Sequence, residues 1–216
     1  MTTLPAIADY ELPAADQLPA NRVDWEVDPA RAILLVHDMQ IYFTDAFGAD
    51  SPIIRSIIGN IQRLRAEAEA QNVPVYFTAQ PPSQDPQDRG LLTDFWGGGI
   101  QDDGRHEIVD DLLPVPESDR ITKWRYDAFV RTDLDERIRS SGRDQLVITG
   151  IYTHIGCLMT AASAFMRDVQ PFLVADATAD FSPEYHALGI EYAARRCAHV
   201  LDTDTAVRQL AGQRTR

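Results

Sequence analysis

The stretch that most constrains this chain runs from Gln145 to Asp168. It opens on an uninterrupted apolar, β-branched run, Leu146-Val147-Ile148-Thr149, the pattern of a strand covered on both faces. Gly150 and Gly156 punctuate a short polar connection. From Cys157 to Asp168, the residues Leu158, Ala161, Ala162, Phe165 and Met166 recur at helical spacing. A doubly covered strand that turns at once into a helix is the repeating unit of a parallel sheet flanked by helices. In such sheets ligands bind in the crevice at the carboxyl ends of the strands. A helix beginning near Gly156 would aim unpaired N–H groups and the positive end of its dipole at that crevice. An anionic substrate, or a developing negative charge, would be held there. An ordinary strand–helix unit without chemistry has the same pattern, so this segment alone leaves both readings open.

The alternation continues along the chain. Apolar runs at 32–36, 73–78, 120–124, 146–149, 171–176 and 198–201 predict six strands. Between them, Ser51 and Pro52 open a helix with Ile53, Ile54, Ile57, Ile58, Ile61 and Leu64 as one apolar stripe, ending at Asn72. Further helices are predicted over 133–141, capped by Gly142, over 157–168, over 184–197 and, partly, over 205–216. The fold class is therefore α/β: a Rossmann-like three-layer sandwich with a central six-stranded, mainly parallel sheet between helices. Residues 31–216 form this domain. Residues 1–30, rich in Pro, Ala and Asp, read either as an arm packed on it, with Trp25 as anchor, or as a solvated tail.

Charge narrows the partners. The 216 residues carry a formal net charge of −13, which opposes binding to a nucleic-acid backbone or an anionic membrane. A small anionic substrate stays compatible, because a local basic pocket can coexist with an acidic exterior. Two cysteines, Cys157 and Cys197, are too few for a disulfide framework. With no signal-peptide pattern and no run near the ~20 apolar residues of a membrane helix, a soluble cytoplasmic protein is expected.

Three strand ends carry chemistry. Asp38 follows the first apolar strand, where burial would raise its pKa and let it hold a proton near neutrality; an Asp there also serves as a helix cap. Lys123 closes the third strand and would meet Asp38 and the 150–156 turn if all three strands are adjacent. The triplet Gly97-Gly98-Gly99 beside Phe95 and Trp96 is a mobile lid or a flexible loop, and lacks the spacing of a phosphate-binding fingerprint.

Together with Leu35-Val36-His37-Asp38-Met39-Gln40, Thr78-Ala79-Gln80-Pro81, Phe95-Trp96-Gly97, Lys123-Trp124-Arg125-Tyr126, Gly150 to Gly156 and Phe165-Met166-Arg167-Asp168, this set resembles the isochorismatase-like hydrolase superfamily over nearly the whole chain. Its cysteine hydrolases carry an Asp, Lys, Cys triad. Here Gly156 stands at the nucleophile position, as in true isochorismatases and the aminodeoxyisochorismate hydrolases of phenazine-type pathways, and Cys157 is one residue late. The resemblance implies hydrolysis of an enolpyruvyl vinyl ether, with Asp38 as general acid and no covalent intermediate. Lys123 is expected to contact mainly a substrate carboxylate. Gln80, Arg89, Tyr152 and Gly156 match substrate-binding positions, and Phe43 and Trp96 are expected as apolar walls. The resemblance further implies a non-proline cis peptide before Tyr152, a homodimer, and neither metal nor cofactor, since the metal-binding histidines of nicotinamidases are missing near Thr78 to Ser83. Some relatives continue into an aryl carrier domain; a chain stopping at Arg216 leads to the expectation of a free-standing enzyme. The rival within the superfamily is a cysteine amidohydrolase using Cys157.

Overall fold

The computed structural model describes residues 4–213. The first three residues of the expected arm and the last three of the expected C-terminal helix lie outside the described residues. Six strands form one sheet: β1 (Ala32–His37), β2 (Val75–Ala79), β3 (Arg120–Thr122), β4 (Gln145–Ile151), β5 (Gln170–Ala179) and β6 (His199–Leu201). Their order is β3-β2-β1-β4-β5-β6, and every neighbouring pair is parallel. "Mainly parallel" thus becomes wholly parallel. Parallel strands need crossovers that cover both faces of the sheet, so their residues must be apolar on both sides. β1 shows the consequence: Leu34 and Val36 join one core cluster, while Ile33 and Leu35 join the other.

The helices sort accordingly. On one face lie α2 (Pro52–Ala70), through Ile53, Ile57, Ile61 and Leu64, and α8 (Thr203–Leu210), through Ala206 and Leu210. On the other lie α5 (Leu134–Ser141), α6 (Leu158–Phe165) and α7 (Pro183–Arg196). α2 starts as its sequence implies, with Pro52 in the first turn and the Ser51 hydroxyl accepting the Ile54 N–H. Among the described residues no helix is long and apolar enough to cross a membrane.

Several boundaries differ from the sequence reading. Three short helices break segments expected to be irregular: α1 (Ile41–Thr44), α3 (Pro86–Arg89) and α4 (Leu92–Trp96). The helix expected from Cys157 begins earlier, with a π-helical turn over Thr153–Cys157 that runs into α6. β3 ends at Thr122, which puts Lys123 just past the strand.

The segment before β1 lies along the domain. Ile7 and Val27 are buried, and Leu4, Tyr10 and Trp25 pack on the core around α2 and α8. The Asn21 carboxamide accepts the Val200 N–H and donates to the Val200 carbonyl. That pair occupies backbone groups on the edge strand β6, which would otherwise be open to another chain.

Candidate active site

The chain leaves β1 toward β2 and β3 on one side of the sheet and reaches β4, β5 and β6 on the other. The carboxyl ends of β1 and β4 therefore flank the point where the winding direction reverses, the site at which open α/β sheets bind ligands. A pocket opens there. Asp38, Phe43, Gln80, Arg89, Trp96, Lys123, Tyr152 and Gly156 all line it, so the eight residues singled out from the sequence converge on one cavity.

Asp38 sits immediately after β1 in a left-handed backbone conformation, φ 48°, which costs a non-glycine residue about 1–2 kcal/mol. Its surroundings hold it there. The Asp38 N–H donates to Thr78 Oγ1 at 3.1 Å, and the same hydroxyl donates back to Asp38 Oδ1 at 2.6 Å. Lys123 Nζ lies 2.8 Å from Oδ2, and Gln80 Nε2 donates to that oxygen at 3.4 Å. Burial pushes the Asp38 pKa up, but the Lys123 charge and the hydrogen bonds from Lys123 and Thr78 outweigh it, and the net shift is downward. Asp38 in the ligand-free protein is a carboxylate. The expectation that burial alone would keep it protonated is corrected by this lysine.

Lys123 does meet Asp38, but by a different route than strand adjacency. The strands β1 and β3 are not adjacent; β2 lies between them, and the lysine reaches across its end, its backbone N–H bonded to the Ala79 carbonyl. Its ammonium is buried and donates to the Arg125 and Tyr126 carbonyls at 2.6 and 3.4 Å as well as to Asp38. An ammonium has three donors, and all three are engaged. Lys123 is thus the partner of Asp38 and is also held by two backbone carbonyls.

Arg89 is the other cation in the lining. It ends α3, which Asp85 starts by capping the Gln87 N–H. Its Nε donates to the Gly97 carbonyl at 2.5 Å, while the buried Nη1 has no protein partner among the described residues. Gly99, at φ 77°, lets the loop cross the guanidinium closely: a Cβ there would come within 2.3 Å of Nη1. Gly99 therefore has a packing reason to be glycine. A buried guanidinium nitrogen without an acceptor is costly unless a ligand completes it.

The helix start near Gly156 is not free to hold an anion. The N-terminal end of the π-helical turn is taken by Asp180, whose carboxylate accepts the His154 N–H at 2.6 Å and pairs with His154 Nδ1 at 2.7 Å.

Aromatic rings close the pocket. Tyr152 follows the cis peptide Ile151–Tyr152, donates its hydroxyl to the Phe43 carbonyl at 2.9 Å and packs on Phe181 at 4.2 Å between ring centroids. Trp96 stacks on Phe181 and donates Nε1 to Tyr126 Oη. Gln80 is fixed by Gln40, a fully buried amide that accepts the Gln80 N–H and donates to the Gln80 carbonyl.

Gly156 leaves no free room for a side chain. A Cβ would lie 2.2 Å from Cε1 of His37, whose ring is fully buried. The Ile151 carbonyl can only accept, so His37 Nδ1 carries the proton toward it at 3.1 Å, and Nε2 accepts from Thr160 Oγ1 at 3.3 Å. Burial pushes the His37 pKa down to about 4; the imidazole is neutral. Cys157 points into the opposite core cluster, its Sγ 3.9 Å from the Thr149 carbonyl, and burial raises its pKa well above that of a free thiol. Such a thiol is inert.

His37, Gln40, Thr78 and Phe181 were not singled out from the sequence. Thr78 had a readable signal, a hydroxyl at the carboxyl end of the strand next to β1. Phe181 had none, since it sits in the β5–α7 loop. Among the described residues no group of three or more His, Cys, Asp or Glu side chains could hold a metal ion.

A buried acid, its lysine and an arginine with one nitrogen free of partners among the described residues, at the switch point of a parallel sheet, equip this α/β sandwich for acid–base chemistry on a small anion. The chain belongs to the isochorismatase family: the isochorismatase domain matches residues 32–205. It is 51% identical over 208 residues to an isochorismatase of Bacillus subtilis (strain 168), covering 96% of this chain and 67% of that protein. To the phenazine biosynthesis protein PhzD of Pseudomonas fluorescens it is 49% identical over 208 residues, covering 96% of this chain and 100% of that one. To enterobactin synthase component B of Escherichia coli (strain K12) it is 46% identical over 202 residues, covering 93% and 71%. Among solved structures, a cysteine hydrolase from Pseudomonas syringae pv. phaseolicola 1448A superposes with a TM-score of 0.80 at 24% identity, covering 91% of this chain and 99% of that one; it shares the fold.

Proposed function

We propose that this protein is a cytoplasmic hydrolase of the enolpyruvyl vinyl ether in isochorismate or 2-amino-2-deoxyisochorismate, serving siderophore or phenazine-type biosynthesis. The products are pyruvate and 2,3-dihydro-2,3-dihydroxybenzoate or trans-2,3-dihydro-3-hydroxyanthranilate. The observation that carries this reading is the meeting, in one pocket, of the buried Asp38 carboxyl with the guanidinium of Arg89, whose Nη1 has no partner among the described residues. The arginine suits a carboxylate of the ligand, and the acid can then reach the bond beside it. Asp38 delivers a proton to the vinyl CH2 carbon, leaving an oxocarbenium ion. Water adds to the cationic carbon that bears the ether oxygen and returns a proton to Asp38, and the hemiketal collapses to pyruvate and the ring alcohol as its hydroxyl proton passes to the leaving oxygen. No covalent bond to the enzyme is needed, which agrees with a glycine at 156 and a buried thiol at 157.

Pyruvate release from each of the two substrates tests the reading, run beside protein treated with a thiol-alkylating reagent. Release from either one, undiminished by alkylation, is expected. Silence on both from folded protein, or loss on alkylation, would return the case to Cys157 and amide substrates.

Arg89→Gln is expected to raise KM by roughly 10–100-fold with a smaller change in kcat, the ~1.5–3 kcal/mol of a lost charged hydrogen bond. An unchanged KM would remove Arg89 from substrate binding. A homodimer belongs to the same proposal. The exposed Leu91, Phe95, Met159 and Met166 gather round one open groove and offer it an apolar face. Light scattering that returned the mass of a single chain would dismiss it.

A further inference from the structure

Asp38, Lys123 and Arg89 are the side chains in the pocket lining that carry charge. Asp38 and Lys123 cancel at 2.8 Å, which leaves one net positive charge, on Arg89. The isochorismate dianion brings two carboxylates. The second would lie uncompensated among Phe43, Trp96, Tyr152 and Phe181, where little water can screen it.

Lys123 cannot answer this by turning to the ligand. Its other donors are held by the Arg125 and Tyr126 carbonyls, and moving it would strip three buried acceptors at once. The remaining groups around Asp38 are fixed in charge. His37, 3.8 Å away, is neutral and gives its one N–H to Ile151. Tyr152 and Cys157 are pushed by burial further toward their neutral forms, and Arg89 stays a cation. One lining group is left that can raise the pocket's charge to match a dianion, and it is the carboxylate of Asp38.

We propose that binding of the dicarboxylate vinyl ether draws one proton from solvent onto Asp38, so that the ligand itself turns the resting carboxylate into the acid the reaction uses. This rests on the ether-hydrolase reading above. The ion pair with Lys123 then has a stated role. It keeps Asp38 ionised and Lys123 in place until a dianion arrives, and afterwards the ammonium and guanidinium together balance the ligand. The sign of the pH dependence follows. The complex holds one more proton than the free protein, so affinity falls tenfold for each unit of pH rise between the free and bound pKa values of Asp38.

The test uses the whole protein and the lactyl ether analogue of isochorismate, a dicarboxylate in which the vinyl CH2 is a methyl group and accepts no proton. Titration calorimetry near neutral pH, in buffers of different ionisation enthalpy, reads the protons taken up. About one per site is expected, with the Kd rising tenfold per pH unit, while Asp38→Asn takes up none and binds independently of pH. Binding without proton uptake overturns the inference and leaves the ether reading standing. Uptake that persists in Asp38→Asn places the proton elsewhere and also overturns it. No binding of the analogue together with no pyruvate release overturns both.

Discussion

Asp38→Asn is expected to lower kcat for pyruvate release by on the order of 10²–10⁴-fold, the usual contribution of a positioned general acid. That corresponds to about 3–5 kcal/mol of transition-state stabilisation. The substitution keeps the shape of the side chain and an oxygen for Lys123 or Thr78, but no dissociable proton. It also leaves the Lys123 ammonium without the counter-charge that now lies 2.8 Å away. A dianionic ligand then meets two unbalanced cations in place of one, and KM should stay level or fall. A fall in kcat without a rise in KM marks an interaction made only in the transition state. Steady-state kinetics on the two candidate substrates would show it. A kcat within tenfold of the parent protein would take the acid's role away from Asp38.

Gly156→Ala is the second large effect. Its Cβ would sit 2.2 Å from Cε1 and 2.9 Å from Nδ1 of a ring with no exposed surface and hydrogen bonds at both nitrogens. Overpacking of this kind costs ~1–3 kcal/mol, roughly 2–12 °C in the melting temperature of a chain this size. Activity should fall further than stability, because His37 holds the carbonyl that precedes Tyr152, a wall of the pocket. His37→Ala in the same chain removes the atoms in the way. The double variant is expected to be more stable than the sum of the two single losses, a coupling that thermal melts resolve. Additive losses would mean that the ring and the glycine do not share that space. The same crowding bars a cysteine at 156 while His37 is present, which separates this chain physically from nucleophilic chemistry at that position.

Much of the fold was legible because parallel strands covered on both faces must be apolar throughout. The runs 32–36 and 146–149 lie wholly inside β1 and β4, and the isoleucine stripe of α2 lies where its period puts it. The helices α1, α3 and α4, of four or five residues, are too short to show any period. The capped turn of helix that presents Arg89 to the pocket therefore left no signal in the sequence.

The sequence by itself determined the chemistry on offer: an acid and a lysine just past two strands, an arginine in the connection after β2, and a glycine where a nucleophile could have been. Only the tertiary structure decided how those groups are paired. Strand order, which depends on long-range packing, put β2 between the acid and its lysine, yet let Lys123 reach over to Asp38 and hold it ionised. The same packing committed the helix start near 156 to Asp180 and left one nitrogen of Arg89, Nη1, without a protein partner among the described residues. Burial and partner charges act through distances of a few ångströms, and separation along the chain carries no record of them.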